Sequence, residues 1–249
     1  MTLLRVENLS KNFGGLEVLT DVDLEVAAGQ KVALIGPNGA GKTTLLNVIG
    51  GQLTASSGKV WLDQHLITKL SPNKRLRHGL GRSYQINNLF ASLTVLENVL
   101  LALYGGERSH FALVGTLPKR GDYVTRAETL LNTVDLWNKR FETIDSLSYG
   151  DQRLIELLCA FASDPKLVLL DEPSAGLPTA EAFAFAEIIR GLSEGVTVLF
   201  CAHDMDLVFN LADTIMVLYF GRIIANGTPQ EISADPKVRE IYLGDHQTC

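Results

Sequence analysis

A glycine-rich segment between two apolar runs constrains this chain more than any other feature of its sequence. Residues 36–44 fit the pattern glycine, four variable residues, glycine, lysine and Ser/Thr. The apolar run at residues 31–35 predicts a buried strand before this segment, and residues 42–49 predict a helix after it. A strand, a glycine-rich loop and a helix in this order are typical of a phosphate-binding loop. The alternative is a glycine-rich turn that binds nothing.

Each part of this loop has a physical reason to contact phosphate. Glycines let backbone N–H groups turn toward phosphate oxygens, and the helix N-terminus adds partial positive charge. Lys42 is expected to reach the β and γ phosphates, and the Thr43 hydroxyl is expected to coordinate Mg²⁺. The sequence therefore predicts a nucleoside triphosphate bound with Mg²⁺. The predicted nucleotide-binding residues of the loop are Gly36, Pro37, Asn38, Gly39, Ala40, Gly41, Lys42, Thr43 and Thr44.

The composition restricts the class of protein. The chain has 249 residues, of which 46% are hydrophobic, enough for one large domain over residues 1–249 with a substantial core. Its three cysteines are widely spaced, which predicts neither a disulfide framework nor a zinc site and indicates a reducing compartment. No leader pattern and no run of about 18 apolar residues are visible, so we expect a protein that is neither secreted nor membrane-spanning.

The charge pattern argues against general nucleic-acid binding. The formal net charge is −6, whereas such binding depends on clustered Lys and Arg that neutralise phosphates. The densest basic run, at residues 74–78, is interpreted as a solvated helix face, with a binding patch as the alternative.

The order of the predicted elements indicates an α/β fold. Short β-rich runs in residues 3–35 predict antiparallel strands before and around the phosphate loop. Residues 86–150 show mostly helical spacing and predict a helical subdomain inserted in the α/β core, with an irregular loop at 105–122. Three later runs, apolar on both faces, predict a mostly parallel central sheet, and a hairpin arm is predicted at 221–227. The predicted fold class is thus an α/β P-loop NTPase core with an antiparallel β subdomain and an inserted α-helical subdomain.

Polar side chains follow two of these apolar strands. Asp171 and Glu172 end the run that begins at Leu167, and His203 follows the run that begins at Thr197. Because ligands bind at the carboxyl ends of parallel strands, we expect all three near the phosphates. Asp171 is predicted to hold Mg²⁺, Glu172 to activate the attacking water, and His203 to bond a γ-phosphate oxygen. The alternatives are an exposed acidic turn and a purely structural histidine.

A second motif lies between the phosphate loop and these carboxylates. Residues 147–151 read Leu-Ser-Tyr-Gly-Asp and precede a helical run at 154–162. With the other motifs, this segment resembles the nucleotide-binding subunits of ABC transporters, whose signature is Leu-Ser-Gly-Gly-Gln at a helix start. Taken alone, Ser148 would be interpreted as an ordinary helix N-cap. The resemblance covers essentially the whole chain and implies an ATPase that binds ATP.

The resemblance implies further roles for individual residues. Ser148 and Gly150 would contact the γ-phosphate held by the opposite subunit of a homodimer or heterodimer. Phe13 would stack on adenine, with a loop-packing role as the alternative. Gln85 would touch Mg²⁺ or the attacking water, as a third catalytic residue beside Glu172 and His203. The segment at 86–90 would face a membrane permease, with Leu89 and Phe90 left apolar for that contact.

Three positions depart from the family pattern. Tyr149 and Asp151 replace the usual Gly and Gln, and Pro178 stands where Asp is common, which puts the contact across the dimer in question. The same departures narrow the subfamily, because several segments resemble the ATP-binding subunits of branched-chain amino-acid importers, a pattern that amide and urea importers share. The segments that carry this resemblance are 147–150, 172–177, 203–206, 221–232 and 238–244.

The resemblance implies a cytoplasmic subunit, peripheral on the inner face of the membrane through the permease. An extracytoplasmic solute-binding protein would be an indirect partner, and no nucleic acid is expected. Two alternatives remain. A soluble ATPase acting as a mechanical switch on ribosomes or DNA would be expected to carry basic extensions, and a P-loop kinase would leave the signature unexplained.

Overall fold

The structure is a computed structural model that describes residues 1–83, 89–106 and 120–244. The strands in chain order are β1 (Thr2–Phe13), β2 (Leu16–Ala27), β3 (Lys31–Ile35), β4 (Ser57–Leu62), β5 (His65–Leu66), β6 (Leu80–Arg82), β7 (Leu167–Asp171), β8 (Thr197–Cys201), β9 (Thr214–Tyr219) and β10 (Arg222–Gly227). The helices are α1 (Lys42–Gly50), α2 (Pro72–Arg77), α3 (Val95–Gly106), α4 (Arg120–Asn132), α5 (Tyr149–Phe161), α6 (Thr179–Leu192), α7 (Met205–Leu211), α8 (Pro229–Ala234) and α9 (Pro236–Gly244).

An antiparallel sheet forms from the N-terminal strands in the order β2-β1-β4-β5. Its sequence alternates apolar and polar residues because one face is buried and the other is solvated. In β2, for example, the buried Val22 and Val26 alternate with the exposed Asp21, Asp23 and Glu25. The predicted antiparallel subdomain is confirmed.

The central sheet has the order β10-β9-β3-β8-β7-β6, and β10 alone among these strands runs antiparallel to its neighbour. Strands β7 and β8 are buried along their whole length, as expected of strands covered on both faces. The predicted mostly parallel sheet and the hairpin arm of β9 and β10 are confirmed. Strand β6 was not predicted, because three residues that include Gly81 and Arg82 carry no β signal and are held by pairing with β7.

The two faces of the central sheet bury different cores. Alternate residues of β3 show this, since Val32 and Leu34 pack with α1 and the antiparallel sheet, whereas Ala33 and Ile35 pack with α5, α6 and α7. This layering brings the carboxyl ends of β3, β7 and β8 to one edge of the sheet, where ligands bind in such folds.

In the basic run at residues 74–78, Lys74 and Arg77 are exposed, but the interpretation as a solvated helix face was wrong for Arg75. Arg75 in α2 is 1% exposed, and its guanidinium donates hydrogen bonds of 2.5 to 2.9 Å to four backbone carbonyls. Two of these acceptors, Val48 and Ile49, lie in the last turn of α1, where carbonyls have no helical partner. Burial lowers the pKa of Arg75 to about 10, still well above neutrality. Arg75 therefore caps the helix that follows the phosphate loop.

A third core joins α3, α4 and the outer face of α5. Val99, Ala127, Leu131 and Leu158 are among its fully buried members. Helix α3 extends to Gly106 and α4 already begins at Arg120, so both ends of the segment predicted as irregular are helical; residues 107–119 lie outside the described ranges. The proposed subdomain limits of 86 and 150 stay a prediction.

Candidate active site

The phosphate loop leaves β3 and enters α1 at Lys42, as the motif predicts. Gly36 has a φ of 156°, and a Cβ at this position would overlap the carbonyl oxygen of Leu218. Gly41 has a φ of 107°, and a Cβ there would lie 2.9 Å from a methyl carbon of Leu19. Both glycines are therefore required by backbone conformation and by close packing.

The Lys42 side chain is buried inside the loop. Its ammonium donates hydrogen bonds to the carbonyl oxygens of Gly36 at 2.6 Å and Pro37 at 3.0 Å. Burial lowers the pKa of Lys42, while the negative charges of nearby acidic groups, including Glu172 and Asp171, act in the opposite direction. The cation is thus held at the place where the terminal phosphates were predicted to bind.

An open cavity of about 250 Å³ brings most of the predicted site together. Its lining residues come from the loop, from the ends of β7 and β8, and from β2: Val18, Asn38, Gly39, Ala40, Gly41, Lys42, Thr43, Thr44, Glu172 and His203. The predicted loop, the predicted general base and the predicted histidine therefore share one surface.

The two predicted metal ligands within the described residues lie next to each other. The Thr43 hydroxyl donates a hydrogen bond of 3.3 Å to an Asp171 carboxylate oxygen. Asp171 is 2% exposed, and burial raises the pKa of its carboxyl, against the lowering effects of Arg82 and Thr43. A hydroxyl and a buried carboxylate supply the hard oxygen donors that Mg²⁺ prefers, with phosphate and water completing such a site. Thr43 and Asp171 are therefore suitable ligands for Mg²⁺.

Glu172 is turned away from its buried neighbour by its backbone. It has a φ of 50°, which is unusual for a residue with a side chain, and its N–H donates to the carbonyl oxygen of Cys201 at 3.0 Å. The Glu172 carboxylate lies 2.9 Å from Nε2 of His203. A strained backbone at a strand end is a common device for aiming a functional side chain.

The signature residues lie on a different surface. Ser148 caps α5 by accepting a hydrogen bond of 3.2 Å from the Asp151 N–H, and the Asp151 carboxylate pairs with Lys139 at 2.7 Å. Ser148 and Gly150 line a separate groove of about 300 Å³ between α5 and α6. Within one chain the signature and the Lys42 loop therefore do not share a cavity.

The remaining predicted residues have mixed positions. Phe13 is half exposed at the end of β1, with the Lys11 ammonium 4.8 Å from its ring centre, and it does not line the phosphate cavity. Gln85 lies outside the described residues. In the segment predicted to face a permease, residues 86–88 lie outside the described residues, Leu89 is partly buried against the helical core, and Phe90 is 59% exposed. The permease contact of this segment stays a prediction.

Two residues at the site were missed by sequence reasoning. Val18 lines the phosphate cavity from β2, in the hairpin that carries Phe13. Arg82 lies 4.0 Å from Asp171 and donates hydrogen bonds to the carbonyl oxygen of Leu46 and the side chain of Asn47 in α1. The sequence contains one indication that Arg82 lies near the site, because Arg82 precedes the predicted site residue Gln85 by three positions.

Comparison with known proteins defines the class. The family model described as ABC transporter matches residues 19–175, more than half of the chain. The chain belongs to the ABC transporter ATP-binding cassette family, which confirms the resemblance, the P-loop α/β fold, ATP binding and the ATPase activity. As a subunit of this kind it works with membrane permease partners and associates peripherally with the membrane. Within the described ranges, every helix is too short or too polar for a bilayer crossing.

A more specific family model matches the C-terminal segment, and individual relatives match nearly the whole chain. A model described as branched-chain amino acid ATP-binding cassette transporter matches residues 222–248. The chain is 37% identical to the high-affinity branched-chain amino acid transport ATP-binding protein LivG of Escherichia coli, over 98% of both chains. It is 35% identical to a lipopolysaccharide export ATP-binding protein, LptB of Acidithiobacillus ferridurans, over 98% of this chain and 97% of the relative. A nucleotide-free ATP-binding cassette from an ABC transporter superimposes with a TM-score of 0.85 at 34% identity, covering 97% of this chain and 99% of that chain.

Proposed function

We propose that this chain is the ATP-hydrolysing subunit of an importer that takes up branched-chain amino acids through a separate permease. The observation that carries the proposal is the specific C-terminal match at residues 222–248, together with LivG relatives that are 35 to 37% identical over nearly the whole chain. Overall identity alone does not separate import from export, since the lipopolysaccharide export protein is 35% identical. The C-terminal match favours the importer.

Two cassettes are proposed to close around ATP. The phosphate cavity and the signature groove lie on separate surfaces of one chain, so that each can be completed by a second cassette. A dimeric cassette bound to ADP and phosphate superimposes with a TM-score of 0.79 at 26% identity, covering 91% of this chain and 99% of that chain. The mate is either a second copy or a related subunit. Loss of the γ-phosphate would remove the ligand that joins the two surfaces, and the pair would reopen.

The residues divide the chemistry among themselves. Lys42 binds the terminal phosphates, and Ser148 and Gly150 of the mate complete the anion site. Thr43 and Asp171 would hold Mg²⁺, which would neutralise phosphate charge, and Gln85 would touch either this ion or the attacking water. Glu172 accepts a proton from the attacking water. Nε2 of His203 lies 2.9 Å from Glu172 without nucleotide, and we propose that His203 donates to a γ-phosphate oxygen once ATP is bound. Phe13 is proposed as the adenine contact.

A groove of about 200 Å³ is proposed as the place where the permease docks. It lies beside β6 and is lined by the end of α1, by α2, α3 and the last turn of α5. Arg82 lines this groove and also approaches Asp171, so the groove has a direct connection to the metal site. This assembly would place the chain on the cytoplasmic face, with a solute-binding protein as an indirect partner and no nucleic acid.

The proposal is tested with Glu172→Gln in vesicles that contain the chain, its permease and its solute-binding protein. We expect ATP turnover and leucine uptake to fall together, by about 100-fold or more, because water activation is lost. Glu194→Gln, at an exposed position after α6, is the matched control and should retain both activities.

Several outcomes would contradict the proposal. Undiminished turnover in Glu172→Gln would remove Glu172 from its role. ATP-driven uptake of urea or amides instead of leucine would reassign the solute. A phosphorylated small molecule in place of free phosphate would favour a kinase, and co-purification with rRNA rather than a permease would favour the mechanical switch.

A further inference from the structure

Tyr149, one of the departures from the family signature, links the signature to the turn that follows Glu172. Its hydroxyl lies 2.9 Å from the carbonyl oxygen of Ala175 and 2.9 Å from Nε of Arg153. Because Nε of an arginine can only donate, the hydroxyl oxygen accepts from Arg153 and gives its own hydrogen to Ala175. The donor and the acceptor of both hydrogen bonds of the hydroxyl are therefore determined.

The position of the Tyr149 ring is fixed by its neighbours on α5. The Arg153 guanidinium carbon lies 5.2 Å from the ring centre, and Arg153 also pairs with Glu156 at 2.7 Å. Arg153 and Glu156 are both buried, so this support is held in place by the core. The Tyr149 ring also contacts Gly176, where a Cβ would lie 3.2 Å from the ring.

The turn that Tyr149 contacts is itself joined to the catalytic glutamate. The Ala175 N–H donates to the carbonyl oxygen of Glu172 at 3.1 Å, and the Glu172 N–H donates to that of Cys201 at 3.0 Å. The left-handed backbone of Glu172 is therefore held by β8 on one side and, through Ala175, by Tyr149 on the other.

We propose that Tyr149 is a positioning residue that fixes the Glu172 turn relative to the start of α5. The inference rests on the proposed hydrolytic role of Glu172. In the proposed dimer the start of α5 contacts the nucleotide of the mate, whereas Glu172 serves the nucleotide of its own chain. Binding of ATP at one site of the dimer would then affect, through Tyr149, the position of the catalytic glutamate at the other site.

The contact between Tyr149 and the turn after Glu172 is tested first without nucleotide, by hydrogen exchange of the full chain. Tyr149→Phe keeps the ring and removes only the hydroxyl, so we expect exchange of the amides in residues 174–177 to become about fivefold faster. Tyr104→Phe, which removes a hydroxyl in α3 where the ring packs on Tyr123, should leave this segment unchanged. Equal exchange in wild type and Tyr149→Phe would overturn the proposal.

Catalysis provides the second test. We expect Tyr149→Phe to lower kcat for ATP about tenfold with little change in KM, and to have no further effect in a Glu172→Gln background. The same fractional loss in both backgrounds would mean a general structural effect and would overturn the inference. If Glu172→Gln alone kept full turnover, the proposed role of Glu172 would fail, while the exchange result would still decide whether Tyr149 holds the turn.

Discussion

At the scale of single residues, two adjacent carboxylates experience opposite surroundings. Asp171 ends a buried strand beside Thr43 and Arg82, whereas Glu172 is turned outward by its left-handed backbone and meets His203. Environment rather than residue type therefore separates the proposed metal ligand from the proposed general base, since both groups are carboxylates. The one-residue change in direction is made possible by the strained φ of Glu172.

His203→Ala should lower ATP turnover about tenfold or more while ATP still binds. The reason is that Nε2 of His203 is the 2.9 Å partner that orients the Glu172 carboxylate, whereas the phosphates are held mainly by the Lys42 loop. Steady-state hydrolysis and equilibrium binding of a fluorescent ATP analogue measure the two effects. His65→Ala, at an exposed histidine of β5, is the control, and equal turnover in both variants would show that His203 has no role.

Residue-level prediction placed side chains correctly where the sequence pattern is local. The phosphate loop was predicted from a short motif, and Glu172 and His203 from their positions after apolar strands. The structure brings these residues around one cavity, while their chemical roles stay predictions. The contact between Tyr149 and Ala175 joins residues 26 positions apart, and no local pattern encodes it. Arg82 was missed for the same reason, since its partners lie in α1 and at the end of β7.

At the scale of elements, the helix after the phosphate loop depends on its neighbour α2. Gly50 and Gly51 end α1, and Arg75 satisfies carbonyl oxygens of its last turn from α2. The C-terminus of a helix carries partial negative charge, so a buried guanidinium is favoured there. The C-terminus of α1 is fixed in this way.

Arg75→Met should destabilise the folded chain by on the order of 3 kcal/mol. Four backbone carbonyls would each lose a hydrogen bond from the guanidinium in a buried site, and a thioether cannot replace these bonds. The shift of the denaturant midpoint measures the loss. Lys74→Met removes a neighbouring exposed charge on the same helix and should change stability by about 0.5 kcal/mol or less. Similar midpoints for the two variants would contradict this account.

Elements with strong periodicity were predictable and weak ones were not. The longer strands of both sheets were predicted because alternating or continuous apolar runs mark them. Strands β5 and β6 were not, since they have only two and three residues, and β6 is held by its pairing with β7. The beginning of α4 at Arg120 was missed because Gly121 suggested a loop, although the helix continues through it.

At the scale of the whole molecule, the main fact is that the phosphate cavity and the signature groove lie on separate surfaces. Lys42 and Ser148 line different cavities of the same chain, so the proposed composite site needs a second cassette. The resemblance to nucleotide-binding subunits of ABC transporters predicted this arrangement from the sequence.

Glu172→Gln, which is expected to bind ATP without hydrolysing it, should dimerise with its natural mate in saturating Mg-ATP. The γ-phosphate would then bridge the Lys42 loop and the Ser148 turn of the mate. Size-exclusion chromatography with light scattering measures the mass. The same variant carrying Lys42→Ala should remain monomeric because the phosphates are no longer held. A monomer of Glu172→Gln under these conditions would remove the proposed closing mechanism.

The turn after β9 contacts both the phosphate loop and β2. The Gly221 N–H donates to the carbonyl oxygen of Ala40 at 3.0 Å, and its own carbonyl accepts from the Thr20 N–H at 2.9 Å. A Cβ on Gly221 would overlap the Val18 carbonyl, so the contact is tight. During synthesis the loop leaves the ribosome long before its hydrogen-bond partner Gly221, which lies 181 positions after Ala40 in the chain (221 − 40). Nascent chains released before Gly221 emerges would therefore lack a fully formed nucleotide pocket.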